Sequence, residues 1–194
     1  MPELRFLLDT NVAIPMEPTS LGDVGINTDD ATALHEACQR AGIALFLHSA
    51  SRHDLARDPD EERRRHRGDL FRKYPELKDA PPICQRTKDI IGDPPSGSND
   101  WVDHNLIEAA ARACAHFLVT EDLGIHRKAR RLGLTNVVSI KAALAVIRRL
   151  FDRDVEPPPA VEHLHVYALD AIDPFFDSFR EDYPDFDKWL GKCR

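Results

Sequence analysis

The chain has 194 residues, of which 42% are hydrophobic, enough to bury one full core and a small appendage. No apolar run approaches the ~18 residues that a membrane-spanning helix needs, and residues 1–9 lack the basic start and long apolar region of a signal peptide. We therefore expect a cytoplasmic protein with no membrane partner. The four cysteines form no C-x-x-C pair, which argues against a zinc ribbon or a redox dithiol.

The net charge of −7 is unevenly distributed along the chain. Residues 152–194 hold 11 acids and 5 bases, so the remaining 22 acids and 21 bases leave residues 1–151 nearly neutral. Within that part, bases concentrate at Arg52, Arg57, Arg63, Arg64, Arg65, Arg67, Arg72 and Lys73. Such a cluster can lie against phosphates. Acids in the same stretch equally allow a solvated helix with ion pairs four residues apart.

Apolar runs and helical periodicities alternate along residues 4–151. Strands are predicted at Leu4–Leu8, Ile43–His48, Phe117–Thr120 and Asn136–Ile140. Helices are predicted at Asp29–Ala41, over the Arg-rich stretch to about Lys73, and at Asn99–Ala115, Gly124–Leu132 and Lys141–Phe151, with a Pro-punctuated loop through 79–82 and 93–99. This order predicts an α/β fold whose central parallel sheet is flanked by helices on both faces.

The last forty residues differ from this pattern. We expect a main domain at 1–152, a Pro-rich linker at 153–161 and a C-terminal strand-helix appendage at 162–194. His163–Leu169 alternates like a strand, and Asp173 with Pro174 is typical of a helix start. Four of the nine phenylalanines fall in residues 175–186, so these rings should pack on the main domain or on a partner.

Four acids stand where the predicted strands end or helices begin: Asp9, Asp54, Asp103 and Asp122. In parallel sheets, ligands bind beyond the carboxyl ends of the strands, where we expect these acids to meet. We place Asp103 in the first turn of its helix, which must begin at that same edge. Carboxylates gathered there form a hard-oxygen site for Mg²⁺ or Mn²⁺, because a cation offsets their repulsion. Each acid taken alone is more often a helix cap or a turn residue than a metal ligand.

Four segments of the chain together resemble the PIN domain, a metal-dependent ribonuclease fold. They are Leu7–Val12 (LLDTNV), His53–Leu55 (HDL), Asp103–Ala110 (DHNLIEAA) and Val119–Asp122 (VTED), in the order of the family's signatures. The resemblance covers about residues 4–151 and implies a parallel sheet between helices, with one or two Mg²⁺ or Mn²⁺ ions bound by acids. Homodimers are common in the family.

The resemblance also implies roles for individual residues. Asp9, Asp103 and Asp122 match the family's metal-binding acids, and Asn11 and Thr120 match its supporting polar residues. Asp54 stands where the family usually has Glu, and we expect it to act as a metal ligand or as the base for a water molecule. We expect His53, His104 and His126 to be surface histidines, since a metal mechanism needs no imidazole.

RNA is the substrate that the resemblance implies. The bases that closely follow the second and third strands are candidates for binding its phosphates: Arg52, Arg57, Arg127, Lys128 and Arg130. The exposed face of a short helix is the alternative explanation for the bases at 127–131.

Residues 162–192 loosely resemble the first strand and helices of a GNAT-type acetyltransferase, without its acetyl-CoA loop. The residues and the two resemblances together leave three functional hypotheses. The first is a metal-dependent endoribonuclease, including the case of a toxin held by an antitoxin. The second is a catalytically weak RNA-binding or regulatory module attached to an acetyltransferase. The third, a phosphatase with an aspartyl nucleophile, is disfavoured because position 11 is Asn and not a second acid.

Overall fold

Four short strands form an all-parallel sheet in the order β2-β1-β3-β4. The computed structural model describes residues 4–18, 21–78, 80–151 and 173–193. The strands are β1 (Arg5–Leu8), β2 (Ala44–Leu47), β3 (Phe117–Val119) and β4 (Val137–Val138). The predicted α/β class with a parallel sheet is confirmed.

The strand register aligns the carboxyl ends of β1, β2 and β3. Leu8 at the end of β1 pairs with Leu47 at the end of β2 and with Val119 at the end of β3. Consequently, the residues that follow these strands emerge at one edge of the sheet, as parallel topology requires.

Eight helices surround the sheet in the described part of residues 4–151. They are α1 (Thr10–Met16), α2 (Thr28–Ala41), α3 (Ser51–Ala56), α4 (Glu61–Lys73), α5 (Gln85–Ile91), α6 (Asn99–Ala111), α7 (Leu123–Arg131) and α8 (Ile140–Phe151), with a 3₁₀ turn at Leu21–Asp23. None of the helices in the described ranges is long and apolar enough to cross a membrane.

The helices cover both faces of the sheet, as the alternating side chains of β1 require. Phe6 and Leu8 lie in one core with residues of α1, α2 and α8, whereas Leu7 lies in a second core with residues of α6 and α7. Phe6, Leu7 and Leu8 are fully buried, which explains why this part of the central strand is continuously apolar.

The helix predictions need three corrections. The sequence pattern does not predict α1 or α5. The Arg-rich stretch forms two helices and not one, because Pro59 interrupts it and Asp60 caps α4 by accepting the Arg63 N–H at 3.0 Å. Helix α6 ends at Ala111, four residues before its predicted end.

Contacts divide the chain into two units, 1–153 and 154–194. In the second unit, Asp173 caps a 3₁₀ turn at Pro174–Phe176, followed by α9 (Asp177–Asp182) and α10 (Phe186–Cys193). The helix predicted from Asp173 is thus interrupted where Pro184 removes a backbone donor. Aromatic rings on the two sides of Pro184 contact one another; the ring centroids of Phe176 and Phe186, for example, lie 5.5 Å apart. The predicted linker and the strand at His163–Leu169 lie outside the described residues.

Candidate active site

The four acids singled out in the sequence line one cleft of about 720 Å³. Asp9 follows β1 directly and Asp122 follows β3 by three residues, whereas Asp54 belongs to α3 and Asp103 to α6. Four separate segments therefore bring a carboxylate to the same edge of the sheet. The structure brings together every acid of the predicted site.

Asp9 is held at the floor of the cleft by neutral donors. Its side chain is almost fully buried and caps α1, because its Oδ1 accepts the Thr10 N–H at 2.7 Å. Its Oδ2 accepts the Thr120 hydroxyl at 2.6 Å. The same Thr120 oxygen accepts the Asn11 side-chain amide at 3.3 Å and the Asp122 N–H at 3.0 Å, so its one proton and both lone pairs are used.

We call Asp9, Asn11, Thr120 and the Asp122 N–H the Thr120 corner. It joins the ends of β1 and β3 by side-chain contacts, in addition to the strand pairing. The contacts of Asn11 and Thr120 are those expected of residues that support Asp9. Their role in a metal site stays a prediction.

Asp122 caps α7, because its Oδ1 accepts the N–H groups of Gly124 and Ile125. Gly124 permits this close approach: a Cβ at that position would lie only 2.8 Å from the Asp122 Oδ1. The Asp122 side chain is therefore fixed by the backbone of the helix that it begins, while remaining exposed to the cleft.

Asp103 is the fifth residue of α6 and begins its second turn. Ser98 caps this helix by accepting the Trp101 N–H at 3.1 Å, so the acid of the first turn is Asp100. The sequence prediction that Asp103 occupies the first turn is wrong by one residue. The Lys128 ammonium, from α7, donates to Asp100 at 2.7 Å and to Asp103 at 2.8 Å, and we call these three residues the lysine bridge.

Asp54 is the most loosely held of the four acids. It forms an ion pair with Arg57 at 3.1 Å, and the Thr10 hydroxyl lies 3.4 Å from its Oδ2. The same hydroxyl lies 3.3 Å from the Asp9 Oδ1, so Thr10 stands between these two carboxylates.

The carboxylates are close enough to perturb one another. Burial raises the pKa of Asp9 to about 6; hydrogen bonds from Thr120 and Thr10 oppose this rise, and the charges of Asp103 and Asp54 add to it. Burial likewise raises the pKa of Asp103; contacts with Lys128 oppose the rise, and Asp122 and Asp100 add to it. The cleft thus holds negative charge at a cost in free energy.

The donor set suits a hard divalent cation, since every candidate ligand is a carboxylate oxygen. However, among the described residues no three His, Cys, Asp or Glu side chains are placed to hold one metal ion together. Oxygens of all four acids are already hydrogen-bonded within the protein: at Asp9 to Thr10 and Thr120, at Asp54 to Arg57, at Asp103 to Lys128 and at Asp122 to the α7 backbone. Side chains would have to rearrange to share an ion.

The predicted RNA-binding bases separate into two groups. Arg57, Arg127 and Lys128 line the cleft, whereas Arg52 and Arg130 do not. Arg52 instead pairs with Glu76 at 2.5 Å, and Arg130 projects from an exposed position of α7. The structure places these two side chains outside the cleft lining, because nearness in sequence to a strand end does not fix the direction of a helical side chain. Their role in RNA binding stays a prediction.

The cleft also contains Arg63 and Arg67, which were absent from the predicted RNA-binding set. Both donate to Asp58, Arg67 at 2.7 Å, and their contacts hold the pKa of that carboxyl well below its usual range. Their spacing of four residues in the Arg-rich stretch was the signal that they share one helix face. Arg127 is exposed and is the one cleft-lining base without a hydrogen bond or ion pair in the described part of the chain.

The expectation of three surface histidines is wrong for His104. Its side chain is buried, because residues 104–110 of α6 are all buried and leave this part of the helix no exposed face. His53 is exposed and packs edge-to-face on Trp101, and the His126 Nε2 lies 2.9 Å from the Thr120 carbonyl oxygen.

Comparisons with known proteins were made by family, by sequence and by structure. No family model, no curated protein and no solved structure matches the chain. The resemblance to the PIN domain therefore stays a prediction. Its support comes from the four ordered sequence segments and from the place of their acids on a parallel sheet.

Proposed function

We propose that the protein is a metal-dependent endoribonuclease that hydrolyses RNA phosphodiesters in the cleft. The observation that carries this proposal is the convergence of Asp9, Asp54, Asp103 and Asp122 from four segments on one edge of the sheet. Carboxylates whose pKa values are raised by burial, with smaller contributions from neighbouring charges, are typical of functional sites when they lie in a cleft.

Asp9, Asp103 and Asp122 would hold Mg²⁺ or Mn²⁺, with Asp54 as a further ligand or as the base for the attacking water. A bound ion supplies a water of lowered pKa and stabilises charge on the leaving oxygen. The chain itself contributes orientation: the Thr120 hydroxyl fixes the rotamer of Asp9, and the α7 backbone fixes that of Asp122.

The RNA strand would meet Arg127 at the cleft. An exposed guanidinium without an internal partner is free to bind a phosphate in bidentate fashion. Arg57, Arg63 and Arg67 first have to leave their carboxylate partners, so they contribute less. An antitoxin, a homodimeric partner and a fused acetyltransferase domain remain proposals that rest on the resemblances alone.

The test is cleavage of RNA by the full chain in Mn²⁺, with EDTA as a second arm. Asp122→Asn should abolish cleavage, because an amide binds the cation weakly yet still caps α7. Asp93→Asn is the matched control, since Asp93 is exposed and pairs only with Lys88 outside the cleft. Cleavage that persists in EDTA, or that survives Asp122→Asn, would refute the proposal.

The second candidate is an RNA-binding or regulatory module without catalysis. The lysine bridge favours it, because an internal ammonium already neutralises part of the acidic cluster, and no described group of acids is placed for a metal. RNA binding that persists in EDTA, together with no cleavage in Mg²⁺ or Mn²⁺, would favour this function over the first.

A further inference from the structure

Lys128 occupies an unusual position for a base in an acidic cleft. Its ammonium lies between Asp100 and Asp103, three residues apart on α6, at 2.7 and 2.8 Å. Its side chain is 19% exposed, so the charge is partly withdrawn from water. A positive charge thus contacts one of the acids to which the proposed function assigns the metal.

The two carboxylates of the lysine bridge differ in their surroundings. The Asp100 side chain is 68% exposed and that of Asp103 is 22% exposed. Each carboxylate has its own hydrogen bond from the Lys128 ammonium. Asp100 can therefore keep the ammonium as a partner when Asp103 is engaged elsewhere.

A cation that binds Asp103 through Oδ2 displaces the ammonium from that oxygen, and one that binds through Oδ1 is repelled by the ammonium beside it. Nζ contacts the Asp103 Oδ2 directly, and two like charges cannot share that oxygen without strong repulsion. Displacement does not require Lys128 to leave the cleft, because the bond to Asp100 tethers it there.

We propose that Lys128 is a positioning residue that competes with the divalent cation for Asp103, and that Asp100 is the carboxylate to which its ammonium withdraws. This inference rests on the proposed function, because it concerns metal binding at the same cleft. It predicts that the lysine bridge sets the cation concentration at which the site fills. Asp100, which lies outside the four PIN-like sequence segments, would then also affect metal affinity.

The test is a Mn²⁺ titration of the full chain by calorimetry, without RNA. Lys128→Gln should tighten Mn²⁺ binding about tenfold more than Arg127→Gln does. Arg127→Gln is the matched control, because it removes the same charge from the same cleft without breaking a carboxylate contact. Equal affinities in these two variants would overturn the inference and leave the proposed function standing.

Asp100→Asn provides an independent arm. It should weaken Mn²⁺ binding, because the ammonium is then confined to Asp103, and this effect should vanish in the Lys128→Gln background. Weakening of the same size in both backgrounds would show that Asp100 acts by its charge alone, against the inference. Absence of Mn²⁺ binding in the wild type and in every variant would overturn both the proposed function and the inference.

Discussion

The Thr120 corner and the lysine bridge hold their carboxylates in opposite ways. In the Thr120 corner, Asp9 accepts only from a backbone N–H and hydroxyl groups, all of which are neutral. In the lysine bridge, Asp103 accepts from an ammonium. The neutral donors fix the orientation of the Asp9 carboxylate and leave its charge uncompensated, whereas the ammonium neutralises the charge of Asp103.

A preorganised carboxylate and a carboxylate with a replaceable counter-ion thus occur in the same cleft. Asp9 is oriented by contacts that a bound cation would leave intact. Asp103 has a contact that a cation would have to replace. Variants of the two sides should therefore respond differently in activity, stability and metal dependence.

The largest expected effect is on RNA cleavage by variants of the acids. Asp9→Asn should lower kcat/KM by more than about 100-fold, because loss of a ligand exceeds the 10–100-fold typical of supporting residues. Asp54→Asn should cost less, since Asp54 is more exposed and already paired with Arg57. Single-turnover cleavage in Mn²⁺ measures both. A larger loss of kcat/KM in Asp54→Asn than in Asp9→Asn would contradict this prediction.

The second effect concerns stability and pH. Unfolding lowers the pKa of Asp9 from about 6 to its ordinary 3.8, so unfolding releases a proton between these values and stability falls as pH rises. Above about pH 6 the folded state carries a cost of ~3 kcal/mol. Asp9→Asn removes the cost of the ionised carboxylate. The free energy of unfolding of the variant, relative to that of the wild type, should therefore rise by up to that amount between about pH 4 and about pH 8.

Urea unfolding in EDTA at the two pH values measures this difference, with Asp93→Asn as the control outside the cleft. A stability difference between Asp9→Asn and wild type that does not change with pH would contradict the raised pKa. Mn²⁺ at the higher pH should stabilise the wild type and not Asp9→Asn, because the cation favours the ionised carboxylate.

The third effect tests the hydroxyl of the Thr120 corner. Thr120→Val keeps the shape but removes the donor to Asp9 and the acceptor of the Asp122 N–H, so cleavage should fall about 10–100-fold and stability by roughly 1–3 kcal/mol. Thr120→Ser keeps the hydroxyl and should retain most of the cleavage. If the Thr120→Ser variant cleaves no better than the Thr120→Val variant, the hydroxyl is not the positioning group.

The smallest effect concerns RNA affinity. Arg127→Gln should weaken binding several-fold and lower the salt dependence of log K by about 0.7, the value for one phosphate contact on a single strand. Arg52→Gln is the matched control, because Arg52 pairs with Glu76 outside the cleft. Equal salt slopes for the two variants, measured by fluorescence anisotropy in EDTA, would remove Arg127 from the binding surface.

The sheet and the convergence of the acids could be predicted from the sequence because each strand, and the acid near its end, is marked by a local pattern. Phe6, Leu7 and Leu8 form a buried apolar run that ends in an acid, and parallel strands deliver such ends to one edge. Local chemistry also explains why Asp9 and Asp122 look like helix caps: both are caps, and both line the cleft. The two interpretations of each acid were compatible.

What the sequence did not predict depends on contacts between distant segments. Nothing near Lys128 in sequence indicates that its ammonium lies between two acids that precede it by 28 and 25 residues. His104 seemed polar and exposed, but its helix is enclosed by other elements over most of its length. Helix α1 was not predicted, because Pro15 lies inside it and a proline beyond the first turn argues against a helix.

Anomalous diffraction from crystals of the full chain soaked in Mn²⁺ would show directly whether the acids of the cleft share a metal ion. We expect a Mn²⁺ peak in the cleft within coordinating distance of Asp9 and of at least one of Asp103 and Asp122, with the Lys128 ammonium withdrawn to Asp100. A cleft without a peak at saturating Mn²⁺, with Lys128 still on Asp103, would contradict this expectation.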